Sequence, residues 1–163
     1  MKIHFEYANK SDLELLLPQL FEILYANMSV IAPTSNTYEE DYEIWFSCVY
    51  PAMQKTQRQM ILLYDEDNII GYFQYYVNEE IWMMEEIQIR KRYHGTGVFS
   101  ALYAWLVRQL PGNIKTVEAY AHKQNVKSQG ILTHLGLKQI GENKSGNSYH
   151  YRGDYKNFLN RYL

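Results

Sequence analysis

The stretch that decides the fold is YHGTGVFSALYAWL, from Tyr93 to Leu106. Two glycines with a threonine between them precede a run of good helix formers, and the segment EEIQIRKR before them has the composition of a strand. The glycines therefore lie at a turn from strand to helix. A helix N-terminus has unpaired N–H groups and partial positive charge, and glycine lets an anion approach the backbone closely. The sequence predicts an anion site at residues 95–99, with a tight turn that binds nothing as the alternative.

Two familiar nucleotide-binding motifs do not account for this turn. A P-loop requires Gly-Lys-Ser/Thr after four intervening residues, and the chain has no such segment here. A Rossmann fingerprint requires a third glycine three residues after Gly97, where the chain has Ser100.

The patterns on either side predict an alternation of strands and helices typical of a mixed sheet with helices on both faces. The pairs Ser11 with Glu14 and Thr37 with Glu40 are capping-box patterns that predict the starts of the first two helices. The predicted order is βααβββαβαββ and then a short terminal helix. The predicted ranges are strand 2–8, helix 12–27, helix 38–50, two strands within 58–77, strand 81–91, helix 97–109, strand 115–122, helix 125–136, two strands around a turn at 145–147, and helix 154–163.

Prolines and the single cysteine give three further expectations. Pro18 is predicted to kink or restart the first helix. Pro51 is predicted to break the second helix or to start a short last turn. Cys48 has no charged pattern that would activate a thiol, so we expect a small buried side chain.

Composition excludes several classes of protein. The chain has 163 residues, of which 47% are hydrophobic, and its net charge is −2, which argues against disorder and against nucleic-acid binding. One cysteine permits no internal disulfide and suggests a reducing compartment. The N-terminal segment MKIHFEYANK lacks the apolar run of a signal peptide, and no segment reaches the roughly 20 apolar residues that span a bilayer. We expect a single domain over residues 1–163, in the cytoplasm, with no membrane or nucleic-acid partner.

The segment IRKRYHGTGVFSALY resembles the acetyl-CoA signature of the GNAT superfamily of N-acetyltransferases. Ile89 stands at the valine place of that signature, His94 at the glutamine or arginine place, and Gly97 at the key glycine place. A second family motif follows the next strand, and five residues match it at the family spacing: Asn125, Ser128, Leu132, Gly136 and Leu137. Gly71 matches a glycine that the family places in an earlier strand.

The resemblance implies a single GNAT-like α/β (α+β) domain with a mixed, mostly antiparallel sheet of six or seven strands. It also implies that acetyl-CoA is the cofactor. The backbone of Ile87–Ile89 would pair with the pantetheine arm, and the N–H groups of Gly95–Phe99 would hold the pyrophosphate. The implied cofactor-binding residues are Ile87, Gln88, Ile89, His94, Gly95, Thr96, Gly97, Val98, Phe99, Ser100, Asn125 and Ser128. Asn125 can also be a plain helix N-cap.

Three residues depart from the signature. His94 replaces glutamine or arginine, which matters little where backbone N–H groups hold the phosphate. Phe99 replaces a small residue and is expected to pack under the loop. Lys91 takes the place of a proline.

The resemblance implies a carboxylate base on the strand that precedes the turn. Glu85 shares a strand face with Ile87 and Ile89, where related enzymes carry a glutamate, so it is the candidate catalytic residue. An ordinary strand-end carboxylate, or one that reads the charge of the substrate, is the alternative. Glu86 points to the other face. Leu132 stands where many relatives have the tyrosine that protonates the leaving thiolate, and His134 faces elsewhere on the helix.

The implied activity is transfer of an acetyl group to a primary amine of a small molecule or peptide. A region rich in tyrosine and acid would suit a cationic acceptor, although the same residues can serve a helix start and strand faces. That region comprises Tyr38, Glu39, Glu40, Asp41, Tyr42, Tyr72, Tyr75, Tyr76, Glu79 and Glu80. The sequence leaves open a homodimer, a regulatory module that binds coenzyme A without turnover, and a structural domain whose turn binds nothing.

Overall fold

The computed structural model of the chain describes residues 1–55 and 57–163. The predicted order of elements is confirmed, including the terminal helix. The strands are β1 (Ile3–Tyr7), β2 (Gln59–Asp65), β3 (Asn68–Asn78), β4 (Ile81–Ile89), β5 (Thr116–His122), β6 (Lys138–Glu142) and β7 (Ser148–Asp154). The α-helices are α1 (Leu13–Met28), α2 (Tyr38–Lys55), α3 (Val98–Leu106), α4 (Val126–His134) and α5 (Tyr155–Tyr162).

The seven strands form one sheet in the order β1-β2-β3-β4-β5-β7-β6. Strand β4 runs parallel to β5, because α3 carries the chain over between them. The pairs β1–β2, β5–β7 and β6–β7 are antiparallel. The expected mixed, mostly antiparallel sheet is therefore confirmed.

The folded chain consists of two compact units. Unit one comprises Met1–Gln74 and Glu86–Thr96, and unit two comprises Tyr75–Glu85 and Gly97–Leu163. The single domain over residues 1–163 stays a prediction.

The core of unit one lies between α1 and the first strands. Leu13, Leu17 and Leu20 recur at helical spacing and are fully buried. They pack with Met53 of α2 and with residues of β2 and β3, among them the buried Tyr72. Because one face of α1 is continuously apolar, burial fixes how that helix lies in the unit.

The core of unit two is aromatic. Trp82 of β4 is fully buried and meets Phe158 of α5 edge to face, with ring centroids 5.2 Å apart. Tyr155 and Tyr103 complete the cluster, at 5.9 Å from Trp82 and 5.5 Å from Phe158, respectively. Edge-to-face pairs of this kind add about 0.5–1.5 kcal/mol each beyond the area that they bury.

One of the two predicted capping boxes is confirmed. The N–H of Thr37 donates to Glu40 Oε1 at 2.9 Å, and the N–H of Glu40 donates to Thr37 Oγ1 at 3.2 Å. The prediction at Ser11 is wrong, because Ser11 lies inside a short 3-10 turn and donates its N–H to Asn9 Oδ1 at 3.1 Å. An asparagine two residues upstream thus captures the backbone group that the capping box would use.

The prolines do not interrupt their helices, so the restart at Pro18 and the break at Pro51 are wrong, whereas the kink at Pro18 stays a prediction and α2 ends about one turn after Pro51. Helix α1 continues through Pro18, and α2 continues through Pro51 to Lys55. The buried residues that follow the prolines, Leu20 in α1 and Met53 in α2, require the helix to go on, and their burial outweighs the lost hydrogen bond.

The expectation of a buried Cys48 is also wrong. Its side chain is exposed, and Met53 is the one residue of α2 that is buried among those the structure describes. None of the helices in residues 1–55 and 57–163 has both the length and the apolar character needed to cross a bilayer. The cytoplasmic location stays a prediction.

Candidate functional site

The turn before α3 has the backbone that an anion site requires. Gly95 and Gly97 have φ angles of +74° and +84°, in the left-handed region that favours glycine. A Cβ at either position would meet nothing within 4 Å, so the backbone torsion demands glycine here and steric crowding does not. Between them, the hydroxyl of Thr96 donates to the carbonyl of Tyr93 at 2.5 Å and fixes the turn.

Helix α3 begins directly after the turn, with Gly97 as its N-cap. The first N–H groups of the helix have no partner four residues earlier within it, and the helix dipole adds positive potential at this end. Gly95, Thr96, Gly97 and Ser100 are exposed, whereas Val98 is buried and anchors the helix. The geometry therefore supplies backbone donors for an anionic group.

The end of β4 is held by two side chains that bond the same carbonyl. The carbonyl of Ile89 accepts from Asn27 Nδ2 at 2.8 Å and from His94 Nε2 at 3.1 Å. His94, at the glutamine or arginine place of the signature, thus ties the turn back to the strand. A carbonyl oxygen has two lone pairs, and both are used here. A coenzyme that pairs with the backbone at Ile89 would therefore use the N–H of that residue, or it would displace Asn27 or His94 from the carbonyl.

Asn27 also begins a chain of three side chains, which we call the amide relay: Asn27, Gln88 and Glu86. Asn27 Nδ2 donates to Gln88 Oε1 at 2.9 Å, and Gln88 Nε2 donates to Glu86 Oε1 at 2.5 Å. Because the amide oxygen of Gln88 is an acceptor, its nitrogen must face the carboxylate. Sequence reasoning did not find Asn27, which lies 62 positions from Ile89 in the chain.

Two further residues of β3 lie near this relay. Tyr72 is fully buried, and its hydroxyl has no hydrogen-bond partner among the described residues. Burial, and then the negative charge of Glu86, hold the pKa of Tyr72 well above 10. Gly71 lies against β4 so closely that a Cβ would come 2.3 Å from the carbonyl oxygen of Gln88. Side-chain space is therefore absent at this point of the β3–β4 contact.

Glu85 lies at the point where the pairing of β4 with β5 stops. The parallel register joins residues 81–84 to 116–119, and Glu85 is the next residue of β4. It is half-buried, and strand alternation turns it away from Glu86, whose side chain faces Gln88. The base role of Glu85 stays a prediction.

Helix α4 supplies the second predicted element of the site. Asn125 Oδ1 accepts from the N–H of Ser128 at 3.1 Å, so Asn125 is an N-cap. Leu132 is buried at 8% exposure, and His134 is exposed. The helix ends at Gly136, whose φ is +92°.

Several residues of the expected acceptor region have structural partners. Tyr38 and Tyr42 meet Phe21 edge to face, at 5.1 and 5.3 Å between ring centroids. Asp41 accepts from the hydroxyl of Thr34 at 2.6 Å, and Glu40 belongs to the capping box. These contacts favour the structural interpretation of the acids and tyrosines in α2.

The predicted site residues divide between the two units. Ile87, Gln88, Ile89, His94, Gly95 and Thr96 belong to unit one. Glu85, Gly97, Val98, Phe99, Ser100, Asn125 and Ser128 belong to unit two. Within unit one the structure brings together the end of β4, the ring of His94 and Asn27. Within unit two it brings together Asn125 and Ser128.

Comparisons with known proteins were made for sequence families and for solved structures. The family described as Acetyltransferase (GNAT) family matches residues 17–137, which is more than half of the chain. No curated protein sequence is similar enough to the chain to be matched with it.

The chain is similar to several solved acetyltransferases. A PaiA N-acetyltransferase from Thermoplasma acidophilum, in complex with coenzyme A, is 15% identical with a TM-score of 0.75, over 95% of this chain and 100% of that one. An acetyltransferase from Thermus thermophilus is 15% identical with a TM-score of 0.70, over 94% and 97% of the two chains. A mutant spermidine N-acetyltransferase from Vibrio cholerae is 13% identical with a TM-score of 0.63, over 98% of each chain.

Proposed function

This chain belongs to the GNAT acetyltransferase family, and on that premise we propose that it transfers the acetyl group of acetyl-CoA to a primary amine. The observation that carries the proposal is the turn with left-handed glycines at 95 and 97, which opens α3. Backbone donors at a helix start suit the pyrophosphate of a coenzyme. The coenzyme A complex of the similar Thermoplasma protein supports this cofactor.

The coenzyme contacts that we propose are those implied by the family signature. The N–H groups of the Gly95–Phe99 turn would bind the pyrophosphate, with His94 and Ser100 at its borders. The backbone of Ile87–Ile89 would bind the pantetheine arm, and the Asn125–Ser128 start of α4 would face the same arm. The Oδ1 atom of Asn125 accepts the hydrogen bond that caps α4, so we assign the contact with the pantetheine arm to Nδ2 of Asn125.

The acceptor that we propose is a primary amine of a small molecule or peptide, acetylated by direct transfer in a ternary complex. The similarity to a spermidine N-acetyltransferase supports an amine, and the half-buried Glu85 suits a cationic one. Glu85 would take a proton from the ammonium group, directly or through one water molecule, because a protonated amine has no lone pair for attack. The nitrogen would then bond to the thioester carbon as the C–S bond breaks.

The leaving thiolate has no dedicated acid in this proposal, because Leu132 occupies the tyrosine place and is buried. A thiol with a pKa near 8.5 is an acceptable leaving group without one. The same observation favours a second candidate function, a module that binds coenzyme A without turnover.

Two measurements test the proposal and separate the candidates. Coenzyme A at about 100 times its Kd should raise the free energy of unfolding by roughly 2.7 kcal/mol. Acetyl-CoA with a panel of polyamines and peptide amines should release free thiol in an amine-dependent manner. Stabilisation without thiol release would support the binding module, and no stabilisation would overturn the turn assignment.

Gly97→Val is the matched variant for coenzyme binding. A β-branched residue is an outlier at positive φ, so the turn would rearrange and the stabilisation by coenzyme A should disappear. Gly112→Val is the control, because Gly112 also has open space around it but lies outside the turn and has no positive φ. Equal stabilisation of both variants would contradict the pyrophosphate site.

A further inference from the structure

Unit one contains a cleft that the coenzyme contacts proposed above do not use. It has a volume of about 360 Å³ and lies between α1, the start of β3 and the residues that follow β4. The residues that line it are Gln19, Asn68, Ile69, Ile70, Arg90 and Arg92. All six belong to unit one, so the cleft lies within that unit. Its volume falls in the range of small-molecule sites, about 300–1,000 Å³.

The charged side chains that line the cleft are two arginines, and protein contacts orient both of them. Arg90 Nε donates to the carbonyl oxygen of Ile69 at 3.2 Å. Arg92 Nη2 donates to the hydroxyl oxygen of Tyr93 at 2.8 Å, and the guanidinium carbon of Arg92 lies 4.9 Å from the centre of the Tyr93 ring. A site whose side chains are already oriented loses less conformational entropy when a ligand binds.

The lining residues have more hydrogen-bond donors than the protein uses. A guanidinium group has five N–H donors. Contacts with described residues involve Nε and Nη1 of Arg90 and Nη2 of Arg92. The side-chain amides of Gln19 and Asn68 make no hydrogen bond with another described residue. The six lining residues therefore supply two cationic groups and two amides, and none of the six carries a carboxylate.

Two carboxylates near the arginines compete weakly for these donors. Glu22 Oε1 lies 3.4 Å from Arg90 Nη1, and the two side chains are 63% and 34% exposed. An ion pair so exposed stabilises little, so a ligand would displace Glu22 at small cost. Asp65 Oδ2 accepts from the Tyr93 hydroxyl at 2.6 Å and is linked to Arg92 through that hydroxyl.

We propose that this cleft binds a small organic anion with two negative charges, of the phosphomonoester or dicarboxylate class. The planar fork of a guanidinium group matches the oxygen spacing of a phosphate or a carboxylate, and the two arginines balance two charges. The amides of Gln19 and Asn68 donate to further oxygens. Ile69 and Ile70 add apolar surface, which favours an anion with a carbon skeleton over an inorganic ion.

The chain also provides a matched control beside the cleft. Residues Arg90, Lys91 and Arg92 are three consecutive basic residues, and Lys91–Tyr93 form a short 3-10 helix directly after Arg90. The two arginines line the cleft, whereas Lys91 is exposed and is not one of the lining residues. A change at Lys91 therefore alters the local charge without removing a donor from the cleft.

The test is calorimetric titration of the full-length protein at constant ionic strength, with glycerol 3-phosphate in one arm and succinate in the other. We expect saturable binding of one molecule per chain in at least one arm, and the tighter arm identifies the ligand class. Arg92→Gln should weaken that binding about tenfold or more, because it removes a charged hydrogen-bond donor. Lys91→Gln should change the Kd less than about twofold, because salt screens an exposed charge outside the cleft.

Three results would overturn the site. They are no saturable binding in either arm, equal weakening in Lys91→Gln and Arg92→Gln, and displacement of the probe by coenzyme A, which would place a coenzyme phosphate in the cleft. Where Arg92→Gln does not fold, Arg90→Lys carries the test, since it keeps the charge, removes the fork and should also weaken binding. The titration does not depend on acetyl transfer, so a protein that binds the probe and releases no thiol keeps the site and fails the proposed function.

Discussion

The amide relay of unit one and the carboxylate–imidazole pair of unit two, which is formed by Glu118 and His150, are both hydrogen-bonded arrangements of side chains. They differ in the kind of group that makes the hydrogen bond. In each, a side chain from another element orients a polar group on a central strand. The links of the relay are carboxamides, whose donor and acceptor ends are fixed once Asn27 is in place. The pair joins a buried carboxylate directly to an imidazole, with no carboxamide between them.

That difference determines what a substitution would change in each of the two regions. A carboxamide neither gains nor loses a proton in water at ordinary pH, so the relay can only hold the end of β4 and Glu86 in place. In the pair, the carboxylate is 5% exposed, so a substitution that removes either partner leaves the other without its hydrogen bond at a buried position. The two regions therefore predict different outcomes for matched substitutions.

The largest expected effect separates the two faces of β4. Glu85→Gln keeps the shape and removes the basicity, so kcat should fall by about 10²- to 10⁴-fold. The loss should shrink as pH rises, because more acceptor amine is then already neutral. Steady-state kinetics between pH 6 and 10 would measure it.

Glu86→Gln is the control on the relay face and should change kcat only a few-fold. If that variant is the impaired one, the relay positions the base and the assignment of Glu85 is wrong. If neither variant loses activity, the proton leaves to bulk water.

The next effect concerns stability in unit two. Glu118→Ala removes the acceptor shared by His150 and Arg152, and breaking a buried pair by removing one partner typically costs up to about 3–5 kcal/mol. Urea unfolding would measure the loss. Glu142→Ala breaks the partly exposed ion pair with Lys123 instead and should cost at most about 1 kcal/mol. Equal losses would mean that Glu118 is not buried with its partners in solution.

A smaller effect is expected in unit one. Asn27→Ala removes the donor shared by Gln88 and Ile89, and a buried acceptor left unsatisfied costs about 1–3 kcal/mol. The KM for acetyl-CoA should also rise, because the end of β4 loses its support. Asn160→Ala, an exposed asparagine of helix α5, is the control and should stay within about 0.5 kcal/mol of the parent. A loss no larger than that of the control would contradict the relay.

The smallest effect is expected at Tyr72, whose hydroxyl lacks a partner among the described residues. Tyr72→Phe removes that hydroxyl and should leave stability at neutral pH within about 1 kcal/mol of the parent or raise it. The pKa of Tyr72 is raised on folding, so its contribution is complete below pH 10 and is lost as pH rises further, when the unfolded chain ionises first. The slope of unfolding free energy against pH above about 10 should therefore be shallower in Tyr72→Phe, by at most about 1.4 kcal/mol per pH unit.

Burial also raises the pKa of Tyr103 in unit two, a residue outside the relay. Tyr103→Phe is thus the comparison for the alkaline slope, and it should flatten that slope without involving Glu86. A flattening in Tyr103→Phe alone would show that Tyr72 ionises normally and that its burial is not complete.

Sequence predicted what is encoded within a few residues. The capping box at Thr37 and Glu40, the turn with Gly95 and Gly97, and the cap at Asn125 all join neighbours in the chain, and the family signature fixed the order of the elements. The structure adds a requirement at the turn that the sequence did not show, because Gly95 and Gly97 have positive φ angles. Close approach of a ligand to these glycines stays a prediction.

What sequence could not predict joins distant segments or depends on burial. Asn27 reaches Gln88 across 61 positions, and Glu118 reaches His150 across 32. Neither pair has a pattern in the chain, because each arises from how strands and helices come together. The predicted capping box at Ser11 is wrong for a local reason, because Asn9 accepts the N–H of Ser11 that the box would use. Helix α2 continued through Pro51 because packing outweighed propensity.

Gly71 gives the fold a position with almost no mutational tolerance. Even the single methyl group of alanine would press on the backbone at Gln88 and force β3 from β4, where the orientation of Glu86 is decided. Gly95 and Gly97 have open space and need only a left-handed backbone, which asparagine also adopts. In a saturation library, position 71 should therefore accept glycine alone, while positions 95 and 97 should retain folded asparagine variants. The abundance of each variant would thus show, position by position, whether crowding or torsion selected the glycine.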